Sequence, residues 1–435
     1  MCRLLNGQFS LVTILALGFN LSLPLFGVLV PGEENSANCL RNLAKLVSKP
    51  LAPEGNSLQE GYFRTIDEVA EEFANSKKFK SPVAWRKKTG KSGLQALDMP
   101  EEVGGKNLSA SQMLKIFEYA GRYDLNLRDV PGGGHGRALM YSKNPEHKKI
   151  MEQIAKGRGY MAIAITEPEH GTDIRGMRSV AKKVEGGYEL TGEKEYQARL
   201  STASHIIILT QAPGQEGERG GKLNAFVVPK DYPGLKFKEL ETPALQGNSF
   251  GGVSFENLFI PESFRIGEDG EGGRIFNEHF TYWRMMQTSA ALGTAKRALE
   301  LMADRMRTRE VNGRPIGSMT HLQQKLGRAG ARLEHDTAAL KEAAEAYDRG
   351  DFIEASRLAA SAKALGVDDA LDAVEVSLEA HGAFGMSNKI DLTQRKMDLS
   401  GLKIADGTAD VLISDYVRKT FGQEFWDMGF GARKQ

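Results

Sequence analysis

Three short stretches carry side chains suited to chemistry. The first, Thr166-Glu167-Pro168-Glu169-His170-Gly171-Thr172-Asp173, follows the apolar run Ala162-Ile163-Ala164-Ile165 and sets two hydroxyls beside a glycine where the backbone can approach a ligand closely. The second, Ile404-Ala405-Asp406-Gly407-Thr408, places a carboxylate and a hydroxyl in a turn ahead of a helical pattern from Ala409 to Phe421. The third is Arg309, a planar fork of donors near the end of another helical pattern. Each has a plainer reading. Thr166 is also a turn residue before Pro168, and Gly171-Thr172 an ordinary turn. Asp406, Thr408 and Asp410 suit the cap of the next helix, and Arg309 suits a solvated cation near a helix end.

The elements that must position these residues fall into blocks. Residues 56–159 read as helical: Ile66, Val69, Ala70 and Phe73 recur at three-and-four spacing, and Met113, Leu114 and Phe117 repeat the pattern. A turn-rich connection from Gly93 through Pro100 to Gly104-Gly105 separates the two, and Gly132 to Gly134 punctuate the block again. Residues 160–268 change to short apolar runs between turn residues, YMAIAIT, SVAKKV, YEL, HIIILTQ, LNAFVVP, LKFKEL and VSFENLFIP. With Gly186-Gly187 as a hairpin signal, that texture predicts a sandwich or barrel. Residues 269–425 predict a helical bundle: Ile275 to Arg309, Ser318 as N-cap to Tyr347, Phe352 to Ala380, and Ala409 to Phe421. A short tail, 426–435, closes the chain.

Composition excludes several classes. At 435 residues the chain holds roughly three units of about 150 residues. A net charge of +1 gives no basic field to gather nucleic acid. Cys2 and Cys39 both precede the globular part, so its main body has neither a disulfide framework nor a cysteine zinc cluster, which suits a reducing, cytoplasmic setting. Residues 1–55 form an extension expected outside the core. Within it, Ser10 to Val30 is uncharged and about long enough to cross a ~30 Å hydrocarbon layer. It lacks the basic flank of a secretory signal and the arginines of a transit peptide, which leaves a membrane anchor, an atypical signal or an extension beyond the folded unit.

The run from Ala162 to Asp173 resembles the signature of the acyl-CoA dehydrogenase family, an apolar strand leading into Thr-Glu-Pro and then Gly-Ser/Thr-Asp. Other pieces follow in the family's order: Gly93-Leu94 with Met99-Pro100-Glu101-Glu102-Val103-Gly104-Gly105, Leu190-Thr191-Gly192-Glu193-Lys194, Arg309 with Gly313, His381-Gly382-Ala383-Phe384-Gly385, and Asp406-Gly407-Thr408. The resemblance implies an α+β multidomain fold with an N-terminal helical domain, a middle β-barrel domain and a C-terminal four-helix bundle. That order coincides with the blocks read from periodicity.

The resemblance also implies roles. FAD would be the cofactor, with Ile165, Thr166, Gly171, Thr172 and Tyr196 at the isoalloxazine, Tyr196 standing where a tryptophan is usual. Arg309 would reach the FAD pyrophosphate across a subunit interface, and Gly382, Thr408 and Asp410 would complete the site. Thr172 and Arg284 would meet substrate. Several positions depart from the family pattern: Ala198 replaces a threonine whose hydroxyl reaches the flavin, Asn312 a phenylalanine, and Glu379 and Thr320 glutamines. No metal is expected.

At the catalytic position the family carries glutamate and this chain carries Asp406, whose carboxylate is about 1.5 Å closer to the backbone. The family's second glutamate position holds Trp283, so Asp406 is the inherited candidate base. The implied reaction is α,β-dehydrogenation of an acyl thioester on CoA or a carrier protein, within fatty acid metabolism. Its electrons would pass to an acceptor such as an electron-transfer flavoprotein, from a homotetramer or homodimer. A flavin oxidase on the same scaffold and a non-catalytic member are the alternatives.

Overall fold

The structure, a computed structural model, describes residues 57–75, 89–212, 222–247 and 249–426. The extension 1–55, with both cysteines and the apolar run Ser10 to Val30, lies outside the described residues, as do 427–435. Among the described residues no helix is long and apolar enough to cross a membrane.

Among the described residues of the first block there are three α-helices: α1 (Ser57–Asn75), α2 (Ala110–Tyr123) and α3 (Pro145–Ala155). Phe63, Ile66 and Ala70 form the buried stripe of α1, as their spacing predicts. A reciprocal Ser109–Gln112 capping box starts α2, and the Asp348 carboxylate accepts from the Ala110 and Ser111 amides at 2.7 and 3.0 Å. Short 3-10 turns, Leu125–Asp129 and Gly134–Tyr141, connect α2 to α3.

Among the described residues eight strands follow: β1 (Met161–Ala164), β2 (Val180–Val184), β3 (Gly187–Ala198), β4 (His205–Gln211), β5 (Leu223–Pro229), β6 (Lys236–Leu240), β7 (Phe250–Pro261) and β8 (Arg265–Ile266). They pair in the order β6-β7-β3-β2-β4-β5-β8, with β1 parallel to β4. Side-chain alternation feeds two cores. Ile206 and Ile208 of β4 enter the core of the β unit, whereas Ile207 and Leu209 enter the core shared with the helices. Burial on both faces explains why β4 reads as an unbroken apolar run.

The C-terminal block holds α4 (Gly272–Thr308), α5 (Thr320–Asp348), α6 (Phe352–His381), α7 (Leu392–Ile404) and α8 (Ala409–Phe421). Glycines seat α4 against α2: a Cβ on Gly121 would lie 2.0 Å from the Ala290 carbonyl oxygen, and one on Gly293 2.0 Å from that of Glu118. Thr294 Oγ1 and Ser289 Oγ add hydrogen bonds to the Gly121 and Leu114 carbonyls at 2.7 and 2.6 Å. Two expectations are corrected. The sequence pattern lacked α7, and Ser318 does not cap α5, because its hydroxyl donates backward to the Pro315 carbonyl and Met319 takes the cap position. Between α4 and α5, β9 (Glu310–Val311) and β10 (Arg314–Pro315) make a small hairpin turned by Asn312 and Gly313, both with positive φ.

Candidate functional site

One wall of the site is built by the β unit. Thr166 lies just past β1, where its carbonyl accepts from the Glu195 amide and the Gln197 side-chain amide, each at 2.9 Å. Glu167 holds the turn that follows: it accepts from the amides of Arg178 and Ser179 at 2.6 and 2.9 Å and from the Lys194 ammonium at 2.8 Å. Burial alone would raise its carboxyl, but Lys194 and the Arg178 amide outweigh burial and hold it below the usual range. The glutamate of the Thr-Glu-Pro run is therefore an anchor. The Thr166 and Thr172 hydroxyls make no hydrogen bond among the described residues, so they are available to a ligand.

Tyr196 owes its orientation to an irregularity. The register of β3 against β7 shifts between Lys194 and Gln197, and Tyr196 takes φ +65°, a conformation rare for a side-chain-bearing residue. The shift leaves its ring 51% exposed on the wall, tilted against Phe250 with centroids 6.2 Å apart. Ala198, two residues on, presents only a methyl group.

The opposite wall comes from the helices. Phe276, Phe280, Arg284 and Gln287 share one face of α4, at spacings of four, four and three. At the end of α7 the chain turns through Ala405–Thr408, with Asp406 at φ +60° and Gly407 at φ +104°. Two cations hold this loop by its backbone. Arg284 Nε donates to the Asp406 carbonyl at 2.9 Å, while Lys363 Nζ, on a side chain only 1% exposed, donates to the carbonyls of Lys403, Ala405 and Gly407 at 3.2, 2.9 and 2.6 Å. Burial pushes the Lys363 ammonium down to about 8, against the opposing pull of Asp406. The Asp406 carboxylate takes no hydrogen bond or ion pair among the described residues. Thr408 is the N-cap residue of α8 but makes no side-chain cap bond, so neither residue is occupied by capping.

Between the walls lies a cavity of about 570 Å³. Its sides are largely apolar, including Ile163, Ile165, Phe276, Phe280 and Leu402, but Arg128, His135, Arg199 and Gln287 give it a polar region. Arg199 is salt-bridged to Asp129 at 2.5 Å and donates to the Tyr160 hydroxyl at 2.8 Å. His135 Nδ1 lies 2.9 Å from His279 Nε2. Burial, together with the Arg137 and Arg199 charges, pushes His279 down to about 3, so that ring is neutral at neutral pH.

Of the residues singled out in the sequence, Ile165, Thr166, Gly171, Thr172, Tyr196, Arg284, Asp406 and Thr408 all line this cavity. Three do not. Arg309 is exposed beyond α4 with no ion pair among the described residues, Gly382 is exposed after α6, and Asp410 is exposed in the first turn of α8. Glu379 pairs with Lys325, and Thr320 is exposed. Sequence reasoning missed Arg128, Lys194, Arg199, Gln287 and Lys363. Lys194 lay inside a quoted motif; the others carried no signal beyond their residue type. A flavin needs polar groups at its ring edge and a flat surface beside the ring. The two unpartnered threonine hydroxyls and the exposed Tyr196 ring supply these, so the residues present fit FAD.

Comparisons with known proteins bear on the family and the fold. The acyl-CoA dehydrogenase middle-domain model matches residues 162–258 and the C-terminal-domain model residues 270–420, together more than half of the chain. The chain belongs to the acyl-CoA dehydrogenase family. It is 27% identical over 339 residues to an acyl-CoA dehydrogenase of Bacillus subtilis (strain 168), covering 76% of this chain and 88% of that protein. It is 28% identical over 334 residues to the L-prolyl-[peptidyl-carrier protein] dehydrogenase of Pseudomonas fluorescens, covering 74% and 86%. A structure of PigA with FAD and proline shares the fold, with a TM-score of 0.77 at 23% identity, covering 86% of this chain and all of that one.

Proposed function

We propose that this chain is an FAD-dependent dehydrogenase that introduces a double bond α,β to the carbonyl of an acyl thioester carried on CoA or a carrier protein. The observation that carries the reading is the Asp406 carboxylate, with no hydrogen bond or ion pair among the described residues, in the same cavity as Thr166, Thr172 and Tyr196. Asp406 takes the α proton. Arg284 and Lys363 fix the carbonyls of its loop, so the carboxylate is held in place without being neutralised by a direct ion pair. Bound FAD would supply the acceptor for the hydride lost from the β carbon. Thr166, Thr172 and the Gly171 backbone would hold the flavin with Tyr196, and Phe276 and Phe280 keep the cavity wall apolar and exclude water. Arg309, exposed here, would complete the FAD site of a second subunit in a homodimer or homotetramer, and an electron-transfer flavoprotein would reoxidise the flavin.

The Bacillus relative favours CoA esters and the Pseudomonas relative a carrier-protein thioester. Ala198 favours a second reading, an oxidase, since this wall offers no hydroxyl at that point. The test is the visible spectrum of purified protein before and after anaerobic addition of acyl thioesters. The expected result is a flavin band that bleaches with a thioester and does not bleach in Asp406→Asn. A colourless protein that cannot be reconstituted with FAD would overturn the reading. Peroxide formed in air during turnover would establish the oxidase.

A further inference from the structure

We infer that the acyl group accepted by this cavity is short and ends in a carboxylate, an inference that rests on the thioester-dehydrogenase reading above. An ordinary alkanoyl chain calls for an apolar pocket throughout. Here, among the described residues, three guanidiniums, Arg128, Arg199 and Arg284, line the cavity with a single carboxylate, Asp406. Asp129 stands beside two of them, 2.5 Å from Arg199 and 3.6 Å from Arg128. Arg284 makes no ion pair within 4.0 Å among the described residues, and burial lowers its basicity against the opposing pull of Asp406 and Asp415. Among the described residues that line it, positive charge therefore outnumbers negative while Asp406 is ionised. The surplus grows once Asp406 has taken a proton.

Gln287 sharpens the assignment. It is 1% exposed, lines the cavity, and its Oε1 accepts from Arg128 Nε at 2.6 Å, which fixes the orientation of the amide. Its Nε2 is then a buried donor with no partner among the described residues. Buried donors are rarely left unpaired, so this one calls for an acceptor inside the cavity. Gln287 stands three residues from Arg284 on α4, a rise of about 4.5 Å. With the α carbon at Asp406, beside Arg284, an acyl group of about four to six carbons brings its far end to Gln287 and Arg128. A carboxylate there meets an unpaired N–H and excess positive charge. A prolyl group brings instead an amine that is cationic at neutral pH, which the three arginines repel.

The test compares three thioesters on the FAD-loaded protein: a five-carbon ω-carboxyacyl-CoA, pentanoyl-CoA and a prolyl pantetheine thioester. Rates come from anaerobic flavin bleaching, and affinities from calorimetric titration of Asp406→Asn, which cannot take the α proton. The expected result is a preference of about 100-fold or more for the ω-carboxyacyl ester over pentanoyl in both readouts, with the prolyl ester weakest. Gln287→Leu, which leaves the Arg199–Asp129 pair intact, should reduce that preference to about 10-fold or less by weakening only the carboxylated probe; Arg128→Gln should do the same. Equal or better handling of pentanoyl-CoA or the prolyl ester would overturn the charge assignment and leave the thioester reading standing. FAD retention with no response to any thioester would overturn both.

Discussion

Two buried lysines stand behind opposite walls of the cavity, and burial pushes each ammonium down to about 8. Lys194, 0% exposed, has a carboxylate: Glu167 lies 2.8 Å away and is tied in turn to two backbone amides. Lys363 has three carbonyls and no ion pair within 4.0 Å among the described residues. The first is one half of a charge pair that shapes a turn. The second is a lone cation whose work is to hold a loop. Similar burial and similar basicity thus lead to opposite expectations, stability for one and catalysis for the other.

Asp406→Asn removes what the Lys363 clamp serves: single-turnover flavin reduction should fall by about 10³-fold, while thioester still binds by calorimetry. Lys194→Met leaves Glu167 buried without its cation, and urea unfolding should show a loss of about 3–5 kcal/mol, largely restored by adding Glu167→Gln. Lys363→Met should cost less than about 2 kcal/mol of stability but lower kcat by about 10- to 100-fold, since a loop misplacement near 1 Å has that effect. Equal stability losses in the two lysine variants would end the distinction.

Alkaline pH separates the roles of Lys363 itself. Its folded-state value near 8 lies below the 10.5 of an ordinary lysine, so between these values the unfolded chain holds a proton that the native chain has lost. Stability from this group therefore rises with pH across the window, is complete above 10.5, and is lost as pH falls through about 8. Activity should move the other way, because a neutral amine has two N–H donors for three carbonyls. An alkaline limb in kcat near pH 8, absent from Lys363→Met, is the expected profile. The smallest effect belongs to Tyr196→Phe: the ring is what the wall presents, so FAD affinity by fluorescence titration should change by less than about 2-fold.

Much of this was legible in the sequence wherever burial and residue type agreed. The strands His205–Gln211 and Leu223–Pro229 and the helix Ala409–Phe421 match their apolar patterns end to end. Helix α7 failed because two of its buried positions are charged: Arg395 and Asp398 occupy the inner face with Leu392, Leu399 and Leu402, so the apolar stripe is broken. The same cause hid half of the site. Arg128, Arg199 and Lys363 look like surface charges in a linear sequence, and only the fold buries them beside the loop and cavity they serve. Asp406 and the two threonines were visible because a motif marked them, whereas the irregularity in β3 that turns Tyr196 outward has no periodic signature.

The backbone at Asp406 also bears on how such a site changes over evolutionary time. Its left-handed conformation is one that aspartate tolerates better than longer side chains do. Asp406→Glu therefore alters reach and backbone fit in one step, and neither is corrected without movement of the loop that Lys363 and Arg284 pin. Residue and loop form an epistatic pair: lengthening the carboxylate should become tolerable only after the clamp has been loosened, so the order of substitutions decides which descendants of this chain stay active.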